Sequence, residues 1–224
     1  MGSLEVSDLV VRLKGFEVHV DGVRVDGKVV LLGHNGSGKT TLLRCIAGLI
    51  KPLRGNITVN GSDVTGLPPE RRSIAYMPQR VPLIRMRPRE IVKTFTRMWG
   101  LDWERFRESP VMSRLLNKDH LSGGEYKVLL LNVCLMREPS VMLLDEPTSH
   151  LDWPNRKFFW AELKRVRVPF LYVTHDPLEA AEIGDEVIFM REGKIAGPFA
   201  IDDRPESLYE GTNIYKLYAK YVGV

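Results

Sequence analysis

Val29-Val30-Leu31-Leu32-Gly33-His34-Asn35-Gly36-Ser37-Gly38-Lys39-Thr40-Thr41-Leu42-Leu43 decides how this chain is read. Its first four residues are wholly apolar, the pattern of a short strand buried on both faces. Gly33 to Thr40 then fit G-x-x-x-x-G-K-[ST], and a helical pattern follows from Lys39 to Leu49, with Gly48 near its end and Pro52 just beyond. Strand, glycine loop and helix form the context in which that spacing cradles phosphate. The glycines let successive backbone N–H groups along Gly33, His34, Asn35, Gly36, Ser37 and Gly38 turn inward around the anion. Lys39 then reaches the β- and γ-phosphates, the Thr40 hydroxyl meets magnesium, and Thr41 adds an α-phosphate contact. An ordinary glycine turn ahead of a helix is the plainer alternative, but it does not require the whole motif in this context.

Acidic residues extend the site downstream. Asp145 closes the apolar run Val141 to Leu144, which places its carboxylate at the carboxyl edge of a sheet, where it can hold the magnesium directly or through water. Glu146 is the candidate general base, polarising the water that attacks the γ-phosphate in line. Alone, Asp145-Glu146-Pro147 would read equally well as a strand-to-loop turn. Gln79 follows the strand-like Ile74 to Met77, and its amide can ligate magnesium and sense the γ-phosphate; a lone glutamine in a loop is otherwise simply solvated. His175 follows Phe170 to Val173 and would keep attacking water and base aligned, unless it is merely structural.

Working outward, 224 residues with 44% hydrophobic content suit one domain with its own core. Cys45 and Cys134 fall in apolar helical patterns and read as reduced core thiols rather than a disulfide, which points to a cytosolic compartment. No signal-like leader is evident, and the apolar runs are far shorter than the roughly 20 residues that cross a membrane. The net charge of +4 is mild. Its basic cluster, Arg80, Arg85, Arg87, Arg89, Lys93 and Arg97, reads as a solvated helix face, and no nucleic-acid partner is expected.

The fold class that follows is α/β. Leu4 to Leu13 and Phe16 to Val25 are valine-rich and partly alternating, a small antiparallel sheet. Strand-like and helix-like segments then alternate through Val187 to Met190, which predicts a mostly parallel core sheet flanked by helices. Between them, Pro88 suits a first helical turn, and Ile91, Val92, Phe95, Met98 and Trp99 recur at helix spacing. The expected organisation is a single domain: a core with the antiparallel layer over residues 1–81 and 120–204, an inserted helical subdomain over 82–119, and a short helical tail over 205–224.

Leu121-Ser122-Gly123-Gly124-Glu125 precedes a helix, where free N–H groups favour an anion. The chain's own phosphates are already cradled by Gly33 to Lys39. The economical reading is that this segment serves the nucleotide of a second copy, two chains meeting head to tail with each site completed in trans.

The succession of Gly33 to Thr40, Gln79, Leu121 to Glu125, Asp145-Glu146, Ser149-His150-Leu151-Asp152 and His175 resembles the ATP-binding cassette (ABC) ATPases, with their P-loop NTPase fold, over nearly the whole chain. The resemblance implies ATP and Mg2+ as ligands, hydrolysis, and a homodimer in the ATP-bound state, with Ser149 to Asp152 coupling the two sites and Asp152 joining Ser122, Gly123 and Gly124 in trans. It also implies transmembrane permease subunits, and a place on the cytoplasmic face of the membrane. Asp63 to Arg72 and Val173 to Ala180 resemble importer cassettes, and the start at Arg12 to Phe16 is similar to molybdate or tungstate importers, which work with an extracytoplasmic solute-binding protein. On that analogy Phe16 stacks on adenine; as part of the antiparallel sheet it would instead be core.

The chain departs from the family at several points. Glu125 stands where glutamine is usual, the helix after it lacks the common arginine and alanine pattern, and His150 occupies a position that often carries a small residue. The tail from Pro205 to Val224 is short beside the accessory domain that many solute importers carry, so regulation through such a domain is not expected. An exporter cassette and a soluble, non-transport ABC ATPase share these motifs and stay open as alternatives. A cassette that binds without turnover is disfavoured by Lys39, Asp145, Glu146 and His175.

Overall fold

The computed structural model describes residues 2–13, 15–81, 84–107, 109–201 and 213–222. Expectations for residues 82–83, 205–212 and 223–224 lie outside these. The two N-terminal strands form as β1 (Leu4–Leu13) and β2 (Phe16–Val25), antiparallel, with Leu4 opposite Val25 and Leu13 opposite Phe16. β3 (Lys28–Leu32) feeds the glycine loop and α1 (Lys39–Ile46). There follow β4 (Arg54–Val59), β5 (Ser62–Asp63) and β6 (Ile74–Met77), then the helices α2 (Pro88–Trp99), α3 (Glu104–Arg107), α4 (Pro110–Leu116) and α5 (Gly123–Leu135). The chain continues through β7 (Val141–Asp145), α6 (Trp153–Lys164), β8 (Phe170–Thr174), α7 (Pro177–Ile183), β9 (Glu186–Arg191), β10 (Lys194–Ala200) and α8 (Asn213–Tyr221).

All these strands join one sheet in the order β5-β4-β1-β2-β10-β9-β3-β8-β7-β6. Five neighbours, β9, β3, β8, β7 and β6, run parallel, and their carboxyl ends lie along one edge. The N-terminal strands are therefore not a separate sheet. They are continuous with the parallel core where Lys194 of β10 pairs with His19 of β2, whose N–H donates to the Gly193 carbonyl at 2.7 Å.

Each apolar core strand alternates its residues between two clusters. Val29 and Leu31 pack with Leu42, Leu43, Cys45 and Ile46 of α1, which is wedged between the parallel strands and the underside of β1 and β2. Val30 and Leu32 face the opposite side, where α5, α6 and α7 cover Met142, Leu144, Phe170 and Tyr172. A run with apolar residues on both faces is what such a strand needs, and truncating any of these leucines to alanine costs about 2–5 kcal/mol. α5 is enclosed: Val128, Leu129, Leu130 and Leu131 are all buried. That accounts for its unbroken aliphatic run, because a helix apolar all round belongs in a protein interior.

α1 stops at Ile46, short of the expected Leu49. Arg72, 2% exposed, donates to the carbonyls of Cys45 and Ile46 at 3.1 and 2.9 Å, and Gly48 at φ 84 turns the chain away. Cys45 is buried and Cys134 half-buried; both thiols are free, and burial pushes each up to about 11, so neither ionises at neutral pH. No described helix is long and apolar enough to cross a membrane. The basic cluster is exposed along its length, with Arg87 paired to Asp119 at 3.4 Å and Lys93 lying over Trp103.

Candidate functional site

The parallel sheet gathers the sequence candidates by topology alone. Gly33, Gln79, Asp145 and His175 each lie within two residues of the carboxyl end of β3, β6, β7 or β8, which are four consecutive strands of the sheet. Loops at such an edge face one another, and ligands bind there in open α/β sheets.

The loop before α1 is built for an anion. Gly38 sits at φ 110, a left-handed conformation, and a Cβ there would lie 2.7 Å from Val18 and 3.0 Å from Phe16. No side chain caps α1 and its first turn carries no acid, so the leading N–H groups have no acceptor within the helix. The buried Ser37 hydroxyl has no hydrogen-bond partner among the described residues. An uncapped helix start with an orphaned hydroxyl beside it fits a phosphate that supplies the missing acceptors. Lys39, 5% exposed, donates its Nζ to the carbonyls of Gly33 and His34, both at 2.7 Å. Burial lowers its pKa, opposed by the negative charges of Glu146 and Asp145.

Asp145 lies at the floor, 1% exposed. Its Oδ1 accepts from Thr40 Oγ1 at 3.0 Å and its Oδ2 from Tyr76 OH at 3.2 Å, and burial nevertheless holds its pKa above the ordinary 3.8. Thr40 and Asp145 thus bring two oxygen donors together. That donor set fits magnesium, which takes one or two protein carboxylates and fills its octahedron with phosphate and water. Glu146 stands next, with φ 43. Its Oε2 accepts from Gln79 Nε2 at 2.8 Å and its Oε1 lies 3.5 Å from His175 Nδ1. A left-handed conformation at a non-glycine residue costs on the order of 1–3 kcal/mol and persists where surrounding contacts over-determine it.

Beside the loop, an open cavity of about 470 Å3 is lined by Phe16, His34, Asn35, Met190 and Val222 among others. Phe16 is 36% exposed, so the core alternative for it does not hold.

The sequence matches the family model described as "ABC transporter" over residues 22–149, more than half of the chain. The chain belongs to the ABC transporter family. It is an ATP-binding, ATP-hydrolysing cassette of that family. The cassette is 36% identical over 222 residues to the molybdate/tungstate import ATP-binding protein WtpC of Methanocaldococcus jannaschii, covering 91% of this chain and 73% of the relative. It is 38% identical over 196 residues to the WtpC of Archaeoglobus fulgidus, covering 82% of each. A sulfate/thiosulfate import ATP-binding protein, CysA of Mycobacterium bovis, is 36% identical over 218 residues; that match takes in 85% of this chain and 60% of CysA. Among solved structures, an ATP-binding subunit of an ABC transporter superposes with a TM-score of 0.77 at 28% identity, covering 97% of the cassette and 98% of that chain.

Ser122, Gly124 and Asp152 are gathered around Asn155, and Gly123 lies beside Leu151. Ser122 caps α5: its Oγ accepts from the Glu125 N–H at 3.2 Å while Glu125 Oε2 accepts from the Ser122 N–H at 3.1 Å. The Ser122 hydroxyl donates to Asn155 Oδ1, and Asp152 caps α6 by accepting from the Asn155 N–H at 3.0 Å. Gly124 presses against Asn155, leaving no space for a Cβ. Glu125, the departure from glutamine, is held both by this capping box and by Lys118 at 2.6 Å.

Sequence reasoning missed three participants. Tyr76 sits inside the strand pattern already identified, and only the register of β6 against β7 places its hydroxyl on Asp145. Gly193, in the turn before β10, donates its N–H to the Ser37 carbonyl at 2.9 Å and so braces the loop. α8 lies over the same region, with Tyr218 edge-on to His34 at 5.8 Å between ring centroids.

Proposed function

We propose that this cassette powers an importer of oxyanions of the molybdate, tungstate or sulfate kind, hydrolysing ATP at the cluster around Lys39 and passing the resulting motion to permease subunits. The observation that carries the catalytic part is the Glu146 carboxylate, held between Gln79 and His175 and set directly after Asp145. Lys39 and the loop N–H groups of Gly33 to Thr41 take the phosphates, which requires the Lys39 ammonium to leave the Gly33 and His34 carbonyls for phosphate oxygens. Thr40, Asp145 and Gln79 are the residues that would hold magnesium, whose chemistry is to neutralise charge between the β- and γ-phosphates. Glu146 accepts a proton from the attacking water, and His175 orients Glu146 and the γ-phosphate. Phe16, exposed beside the loop, is the face on which adenine stacks.

Ser122, Gly123, Gly124 and Asp152 act in trans, on the ATP of a second copy in a closed homodimer; the hydrogen bonds of Ser122 and Asp152 to Glu125 and Asn155, which hold this segment as a preformed helix start, support that reading. The groove of about 680 Å3 lined by Ile84, Met86, Pro88, Ile91, Leu121 and Tyr126 is the surface for a permease segment, with the helices of residues 82–119 as a subdomain that moves with it. Import and the oxyanion class rest on the relatives named as molybdate/tungstate and sulfate/thiosulfate import proteins. The working position is then the cytoplasmic face of the membrane, with a solute-binding protein on the other side.

Glu146→Gln tests the catalytic reading. It should keep ATP binding, lower hydrolysis by at least about 100-fold, and trap a dimer on gel filtration with ATP and magnesium. Turnover at the wild-type rate would remove Glu146 as the base. Co-purification with a permease whose vesicles take up molybdate in the presence of ATP supports import; efflux from the same vesicles overturns it.

A further inference from the structure

Behind the site lies a buried polar cluster that none of these roles uses. Glu179, on the first turn of α7, is 3% exposed. Its Oε1 accepts from the Thr148 hydroxyl in a short hydrogen bond. Its Oε2 accepts from the Thr174 hydroxyl at 2.6 Å and from Tyr172 OH at 3.3 Å, and Tyr172 is fully buried. Arg156 Nη1 lies 3.8 Å from the same carboxylate and 3.2 Å from Asp176, while Lys127, on α5, feels the Glu179 charge and donates to the Ser149 carbonyl at 3.0 Å. A buried carboxylate needs such company, since desolvation penalises its charge and only donors and cations offset it.

What the cluster joins is informative. Thr148 lies two residues after Glu146, and Thr174 immediately precedes His175. The Glu146 N–H donates to the Val173 carbonyl at 3.0 Å, and the Thr148 and Tyr172 hydroxyls lie 3.0 Å apart. Glu179 spans the two segments on top of these ties, with Oε1 on Thr148 and Oε2 on Thr174. Glu146 and His150 are both in left-handed conformations, with φ 43 and φ 64, so the segment between them is a tightly turned loop anchored at Thr148 and Ser149.

We propose that Glu179 is a positioning residue for ATP hydrolysis: it fixes the loop after Glu146 to the strand end before His175, and so sets the spacing of the groups that align the attacking water. This rests on the reading that Glu146 and His175 act on the γ-phosphate. Glu179 is buried and acts through Thr148 and Thr174, not on the reacting atoms. Its effect belongs on kcat, with the ground-state grip on ATP left to the loop before α1.

The test uses Thr148→Val and Thr174→Val, which keep side-chain shape and remove each hydroxyl with its bonds to Glu179 and to Tyr172 or the Asp176 N–H, together with Thr148→Ser and Thr174→Ser, which restore it. In the full chain each valine variant should lower kcat roughly 10- to 100-fold with the KM for ATP unchanged within about twofold, and each serine should recover to within about threefold of wild type. A valine variant at wild-type kcat, or a serine no better than its valine, overturns the proposal. Should a valine variant fail to fold, Glu179→Gln replaces it: the volume is kept, one acceptor oxygen becomes a donor among hydroxyls that donate to it, and the same kcat loss at unchanged KM is expected. Wild-type kcat in Glu179→Gln overturns the assignment. Glu146→Gln separates the two levels. If it hydrolyses ATP normally, the reading of the site fails; if it is dead while the valine variants are normal, only the role of Glu179 fails.

Discussion

Two helices of this cassette begin at glycine-rich segments, and they begin in opposite ways. α1 starts at Gly38 with no side-chain cap, no acid in its first turn and a buried lysine. α5 starts at Ser122 with a complete capping box, exposed to solvent and satisfied from within the chain. A missing cap costs a folded protein about 1 kcal/mol, so leaving α1 open is a standing expense that makes sense only where something else supplies the acceptors. α5 carries no such debt: its serine is already occupied by Glu125 and Asn155. One terminus is left open for an anion, and the other already has its groups satisfied within the chain.

The largest test of that contrast removes the charge at the open terminus. Lys39→Ala should lower hydrolysis by more than about 100-fold and weaken ATP binding by more than about tenfold in calorimetry. Retained affinity would mean that the uncapped N–H groups alone hold the phosphates, and would sharpen the comparison toward the backbone.

Asp145→Asn probes the same end from the metal side and separates function from stability. Hydrolysis should fall by about 100-fold, while the nucleotide-free protein should melt at the wild-type temperature or a few degrees higher, because a desolvated carboxylate has been neutralised. The sign follows from its raised pKa. Folding favours the protonated form, so the contribution of Asp145 is fully present below pH 3.8 and is lost as pH rises through its folded value. Melting of wild type and variant against pH above 3.8 should therefore diverge in favour of the asparagine. A variant that melts well below wild type at neutral pH would contradict this.

The smallest effect belongs to the closed terminus. Ser122→Ala should cost about 1 kcal/mol of stability, a drop of roughly 2–4 °C in Tm, through loss of the cap. ATP affinity of the isolated cassette should stay unchanged, while turnover at concentrations that allow pairing falls. A loss of affinity in the monomer would erase the distinction between the two helix starts.

Much of this was legible in the sequence, and for a physical reason. β3, β6, β7 and β8 are short apolar runs with chemistry at their carboxyl ends, so Gly33 to Thr40, Gln79, Asp145, Glu146 and His175 could be placed at one sheet edge before any coordinates. β10 was missed because Lys194-Ile195-Ala196-Gly197-Pro198-Phe199-Ala200 is broken by Gly-Pro and only half-buried. The short β5 has no periodicity to read. Phe16 was undecidable, since an aromatic ring in a valine-rich strand suits core and rim alike, and only its exposure separates them. The Glu179 cluster is invisible for a deeper reason: Thr148, Tyr172, Thr174 and Glu179 converge from three elements, and no spacing rule links a hydroxyl in one loop to a carboxylate on a later helix.

Among the described residues, the pairing of His19 with Lys194 makes the join between the two halves of the sheet narrow as a stitch. Gly193, beside it, grips β2 through the His19 N–H on one side and the Ser37 carbonyl on the other. A phosphate seated in that loop would act as a rivet at this seam of the fabric, because what stiffens the cradle through Ser37 is passed by Gly193 to the first strands.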